Sequence, residues 1–219
     1  MSVTCFTGSV VYRSLWSGTS HNSPEWRNLD FSVEKLTPAA QVAEQMESVV
    51  VYEYEPAAHL LVTDEDAADF LQSQFSNELR PFQSGRSTYG LWLDVKGKVV
   101  ADSFVLCEGA ERFRIFSEGS AAEALADQLR RHIIADEVEI ELLPAGRAMA
   151  LVGAQAGELL RALGLVEPAE GCFTQAEEVR VYRGRRSGAP NFELWAPSAA
   201  ALDAYKQRLG QQSLPFVGC

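Results

Sequence analysis

Two hydrophobic rhythms run through most of this chain. Alternating or continuously apolar short runs predict strands at Val49–Tyr54, His59–Val62, Thr88–Leu93, Val99–Leu106, Arg112–Phe116, Val138–Leu142, Ala148–Val152 and Phe192–Trp195. Phe173–Tyr182 also reads as extended. Gly97 and Gly109 mark turns between strands. A helical period appears at Ala67–Phe75, where Ala67, Phe70, Leu71 and Phe75 share one face. A second helix begins at Ser120, with Leu125, Leu129 and His132 on its apolar face; Ser120 and Glu123 have the spacing of a capping box. Gln155–Leu163 predicts a third helix that stops at Gly164. Ser198–Leu209 predicts a fourth, capped by Ser198 after Pro197. Residues 1–45 break this rhythm. They are rich in Ser, Thr, Asn and Pro, yet Trp16 and Trp26 predict that part of the segment packs on the body. A short helix is expected from near Pro38 through Val42 and Met46.

The order of elements recurs. Leu61-Val62 leads into a helix, as does Leu151-Val152; Phe113–Phe116 precedes Ser120-Ala-Ala as Phe192–Trp195 precedes Ser198-Ala-Ala. Each half reads strand–strand–helix–strands–helix. Strands beside helices without strict alternation give an α+β fold built by duplication. The expected organisation is an extension over residues 1–45, a first half over 46–135 and a second over 136–219.

Bulk properties narrow the function classes. The chain has 219 residues, 47% hydrophobic and 22% charged, enough for a proper core, and a net charge of −11. Such an acidic chain is a poor fit to nucleic acid or anionic membrane, though a local basic pocket can still hold a small anion. No run of about 18 apolar residues predicts a membrane helix. The first residues lack the basic and apolar regions of a signal peptide, so a cytoplasmic protein with reduced thiols is expected. Cys5, Cys107, Cys172 and Cys219 are far apart, with no pattern for zinc.

One acid stands out. Asp102 lies among hydrophobic neighbours in the run Val99–Leu106, and the second half carries another, Glu193, in Phe192–Trp195. From pattern alone, either reads first as the solvent-facing residue of an alternating strand, and Tyr89 as a core aromatic. A resemblance sharpens this. Asp66-Ala67 leading to Phe70-Leu71-Gln72 is similar to the D-A-x-x-F-L-Q helix of the glycine-cleavage T-protein (aminomethyltransferase) and YgfZ-type folate-binding superfamily. Ser76-Asn77-Glu78-Leu79 resembles its T-N-D-V/L turn. Tyr89 to Leu93, Lys96-Gly97 and Asp102 follow its Y-x-x-x-L…G-x-x-x-x-D hairpin. Phe192-Glu193-Leu194-Trp195-Ala196-Pro197 is similar to its Y/F-E-L/I-x-x-P strand. The resemblance spans roughly residues 47–218 and implies two swapped α+β units around a hole that holds tetrahydrofolate.

Folate chemistry suits the residues so matched. A carboxylate can take the pterin's adjacent N–H groups in a fork, and the anionic tail suits guanidinium groups. Moving a one-carbon unit needs a charge stabiliser or proton shuttle beside the reactive nitrogens. The resemblance implies Asp102 as the catalytic acid, Glu193 as the pterin ligand, and Tyr89 and Asn77 as further cofactor-binding residues; Arg183, from the arginine run, is a further candidate for the anionic tail. The sequence also departs from the family. Ala101 replaces the first acid of an Asp-Asp pair, and Arg185-Arg186-Ser187-Gly188-Ala189 replaces a G-Y-T-G-E loop. The arginine run Arg180, Arg183, Arg185 and Arg186 reads either as a greeting for an anionic tail or as a solvated loop. Family members continue beyond the position of Cys219, so the chain is expected to be shortened at that end. Glu170-Gly171-Cys172-Phe173 only faintly matches K-G-C-Y/F, and Cys172 reads as an ordinary strand-entry residue. Three functions stay open: a folate-binding protein of one-carbon metabolism or iron–sulfur enzyme maintenance, an active aminomethyltransferase, or a non-enzymatic module that binds a protein partner or itself.

Overall fold

A computed structural model describes residues 4–7, 10–13, 49–211 and 216–218. In chain order the elements are β1 (Thr4–Thr7), β2 (Val10–Arg13), β3 (Val49–Tyr54), β4 (Ala58–Thr63), α1 (Ala67–Gln74), β5 (Arg86–Leu93), β6 (Val99–Gly109), β7 (Arg112–Ser117), α2 (Ala122–Arg130), β8 (Glu139–Leu142), β9 (Arg147–Val152), α3 (Ala156–Ala162), β10 (Phe173–Ala176), β11 (Val179–Arg183), β12 (Asn191–Ala196), α4 (Ala199–Leu209) and β13 (Phe216–Gly218). Strands β1 and β2 pair as a hairpin. Trp16, Trp26 and the helix expected near Pro38 lie outside the described residues.

The fold is α+β and duplicated. One sheet has the order β5-β6-β7-β4-β8, the other β10-β11-β12-β9-β3, with β13 added parallel to β3. The two orders superimpose element for element: β4-α1-β5-β6-β7-α2 answers β9-α3-β10-β11-β12-α4, and β8 answers β3. The halves exchange these edge partners, so β3 pairs with β9 and β8 pairs with β4. Neither half completes its sheet without a strand from the other.

Each sheet buries one face against its helices. Phe70, Leu71, Leu125 and Leu129 pack on Leu60, Val62, Trp92, Phe113 and Ile115 in the first unit. Leu159, Leu160, Leu202 and Leu209 pack on Met149, Leu151, Phe192 and Leu194 in the second. The opposite faces then meet through Phe104, Leu106 and Phe116 of the first sheet and Tyr54, Ala148, Tyr182 and Trp195 of the second. The result is four layers, helix–sheet–sheet–helix. Gly90 is required where Phe75 lies against β5, because a Cβ there would sit 2.6 Å from the Phe75 ring.

Three local expectations change. Phe173–Tyr182 is a tight hairpin: Ala176 pairs with Val179, and Glu177 turns with φ +53°. The second helix begins at Ala122 with Ala121 at its cap, and Ser120 makes no cap hydrogen bond. Its hydroxyl is committed to Asp102 instead. That helix ends at Arg130, so His132 lies beyond it, its Nδ1 2.8 Å from the Gln128 carbonyl. The other two ends match expectation. Ser198 Oγ accepts from Ala201 N, and Gly164 and Leu165 donate to Arg161 O and Leu160 O in a Schellman closure.

Candidate functional site between the sheets

Strand β12 has helices on one side and the first sheet on the other, and all six of its residues are buried. Phe192, Leu194 and Ala196 face the helices, which directs Asn191, Glu193 and Trp195 toward the other sheet. Glu193 is therefore not the solvent-facing residue that alternation allows; it is 1% exposed. A carboxylate taken so far from water requires partners. Arg186 Nε donates to Glu193 Oε1 at 2.9 Å and Arg186 Nη2 to Oε2 at 3.3 Å. Tyr54 O–H donates to Oε2 at 2.9 Å. The Arg186 guanidinium lies 4.5 Å from the Tyr54 ring centre and 5.2 Å from that of Tyr52, and it also pairs with Glu118. Burial opposes the charge of Arg186, but Glu193, Tyr54 and Glu118 outweigh it and raise its pKa. Burial and the Glu193 charge likewise hold the Tyr54 hydroxyl protonated far above its ordinary range. Glu118, half exposed at its side chain, is pushed up by partial burial and by Glu193 against the pull of Arg186.

The first sheet contributes a second polar chain. Tyr89 on β5 donates to Asp102 Oδ2 on β6 at 2.8 Å, and Ser120 donates to Oδ1 at 3.1 Å. Asp102 N donates back to Ser120 Oγ at 3.2 Å. Burial and the Asp102 bond push the Tyr89 hydroxyl up to about 12. Arg185 lies 4.6 Å above the Tyr89 ring.

A cavity of about 590 Å³ opens beside these groups, lined by Ser87, Tyr89 and Phe104 of the first sheet and by Cys172, Arg183 to Arg185, Ser187 to Pro190, and Asn191 of the second. Gly184 separates it from Glu193, since a Cβ there would collide with both Asn191 Oδ1 and Glu193 Oε1. Asn191 is buried; its amide nitrogen bonds Ala189 O and Ser187 O, while its Oδ1 finds no partner among the described residues.

The five residues singled out in the sequence fare differently. Tyr89 lines the cavity and joins Asp102, and Glu193 lies behind the cavity wall. Arg183 lines the cavity too, but its guanidinium is tied to Glu167 and Pro168 O and lies over Phe192. Asn77 stands apart: its amide donates to Tyr89 O and its Oδ1 accepts from Glu78 N, and so it ties the turn after α1 to the Tyr89 backbone on β5. Glu193 is not the duplicate of Asp102, because by strand order the residue matching it is Arg114 on β7. Tyr54, Ser120, Glu118, Asn191 and Arg186 were not picked out. Only Arg186 carried a signal, as part of the arginine run.

Residues 22–210 match the GCVT N-terminal domain family, and the chain belongs to it. It is 27% identical over 176 residues to an aminomethyltransferase of Exiguobacterium sibiricum, covering 77% of this chain and 49% of that protein. Its fold is similar to that of the glycine cleavage system aminomethyltransferase T from Bartonella henselae, with TM-score 0.68 and 19% identity over 81% of this chain and 50% of that one. It is also similar to a chain of the heterotetrameric sarcosine oxidase from Corynebacterium sp. U-96, solved in complex with pyrrole 2-carboxylate. There the TM-score is 0.53 at 20% identity, over 81% of this chain and 96% of that one. The chain thus spans about half the length of the aminomethyltransferases it resembles. Among the described residues no helix is long and apolar enough to cross a membrane, and no cluster could hold a metal ion.

Proposed function

We propose that the protein binds a reduced folate, tetrahydrofolate or a one-carbon derivative of it, between its two sheets. The observation that carries this is the juxtaposition of a buried carboxylate, Glu193, with a buried acceptor that has no partner among the described residues, Asn191 Oδ1, on one face of β12 beside the cavity. Two acceptors in that setting suit a flat ligand edge that offers N–H groups. Membership in the GCVT family and the likeness to an aminomethyltransferase support the same reading. In it, Glu193 and Asn191 take the pterin and Tyr89 lines the ring. Arg183 and Arg185 face the anionic tail, and Asn77 holds the Tyr89 backbone. Asp102 reaches the ligand through Tyr89 and stabilises charge near its reactive nitrogens. Arg186 must release Glu193 first. The physiological setting is the cytoplasm, in one-carbon metabolism or the upkeep of iron–sulfur enzymes.

The test is a titration with 5-formyltetrahydrofolate, a stable reduced folate, followed by Trp195 fluorescence. Binding is expected for the native protein, with loss of about tenfold or more in affinity for Glu193→Ala and a smaller loss for Asp102→Ala. No binding up to millimolar ligand sinks the proposal.

A second reading is a non-enzymatic subunit that docks on another protein. It is favoured by the apolar residues exposed at the β5–β6 hairpin, Leu93, Val95, Val99 and Val100. A monodisperse monomer by light scattering that captures no partner rules against it.

A further inference from the structure

The way Arg186 meets Glu193 goes beyond simple charge pairing. Its two N–H groups address the two carboxylate oxygens at 2.9 and 3.3 Å in a fork. Its guanidinium carbon lies over the Tyr54 ring, 4.5 Å from the ring centre, on the aromatic face a flat ligand could use. The same Tyr54 donates its hydroxyl to Glu193 Oε2, fixing that oxygen. Aromatic platform and buried carboxylate together form a slot, and what fills it is a planar N–C–N group. We infer that Arg186 is an internal occupant of a slot built for a planar guanidine-type edge, and that any ligand of this site must take Glu193 from it.

The exchange has a built-in resting place. Arg186 is shared between Glu193, whose side chain is 2% exposed, and Glu118, whose side chain is 48% exposed. A guanidinium that leaves the inner carboxylate keeps the outer one, so release does not strand a buried cation. The incoming edge then supplies the hydrogen bonds that Glu193 loses. Arg186 thereby sets specificity: a ligand with only one N–H, or with no flat donor edge, cannot replace the fork and is rejected. A pterin contains such an edge in its 2-amino and ring N–H groups. This extension to folate rests on the function proposed above; the slot itself does not.

The experiment uses the whole chain in native form and as Arg186→Ala, with methylguanidinium chloride at low millimolar concentration and 5-formyltetrahydrofolate as probes. Methylguanidinium is expected to raise the melting temperature of Arg186→Ala and leave the native protein unchanged. Arg186→Ala is expected to bind the folate at least about tenfold more tightly than native protein, with methylguanidinium competing. Where Arg186→Ala does not fold, Arg186→Lys replaces it, since the ammonium keeps the charge but presents no planar fork; it too is expected to gain folate affinity. Rescue by methylguanidinium with no folate binding in any form supports the slot and removes the folate reading. Folate binding that is equal or weaker in the variant, together with no response to methylguanidinium, overturns the inference.

Discussion

A buried histidine shows how one residue ties this molecule to pH. His59 is 3% exposed, stacked on Phe116 and edge-on to Trp195. Its Nδ1 lies 2.7 Å from Pro144 O and its Nε2 accepts from Arg114 Nη1 at 2.8 Å, an arrangement only the neutral ring can satisfy. Burial, with the nearby Arg114 and Arg180 charges, lowers its pKa from 6.5 to about 4. The unfolded chain therefore binds more protons between those values, and stability falls as pH drops through the window. His59→Gln removes this linkage. The stability gap between native protein and variant is expected to shrink by about 3 kcal/mol between pH 7 and pH 4, measured by urea unfolding at each pH. A gap that does not change with pH contradicts the neutral-ring geometry. On the same scale, the sequence exposed Tyr89 and Asp102 as candidates but not their bond, because hydrogen-bond partners on neighbouring strands depend on register.

At the scale of elements, two serines with the same apparent role divide. Ser198 caps α4 by accepting from Ala201 N at 3.3 Å. Ser120 precedes α2 in the same Ser-Ala-Ala sequence, yet the helix starts one residue later, at the Ala121 cap, and Ser120 turns to Asp102. Sequence spacing reports what a cap can do; the competing acid on β6 decides what it does. Ser198→Ala is expected to cost about 1 kcal/mol in urea unfolding, as loss of an N-cap does. Ser120→Ala is expected to weaken folate binding by freeing Asp102, with the α2 amides no worse protected against hydrogen exchange than in native protein. Loss of α2 protection would return Ser120 to a capping role. Strand β12 teaches the same lesson. Its alternation is genuine, but both of its faces are covered, so the polar positions become interior.

The whole molecule depends on how its two sheets are joined. Glu108 on β6 accepts from Arg114 Nε of its own sheet at 2.6 Å and pairs with Arg180 Nη2 of the other sheet at 2.7 Å, while Arg112 holds its second oxygen at 3.1 Å. Burial pushes Glu108 up, but Arg114 and Arg180 outweigh it and hold it below the usual carboxylate range. Glu108→Ala leaves two largely buried guanidinium groups without their shared partner and is expected to cost roughly 3–5 kcal/mol. Signals from both sheets should shift together in denaturant, because each sheet also contains a strand from the other half. Separate transitions would show that the sheets fold independently.

The sequence by itself determined most of the elements, their repeated order, the α+β class and the family, because these rest on local periodicity, turn chemistry and short motifs. It also pointed to Asp102 and Glu193. Only the tertiary structure decided that β3 and β8 are exchanged, that Glu193 is buried, and that Arg186 rather than an open pocket faces it. Those facts depend on which distant faces meet and on what each buried charge finds there, and no local pattern along the chain encodes that.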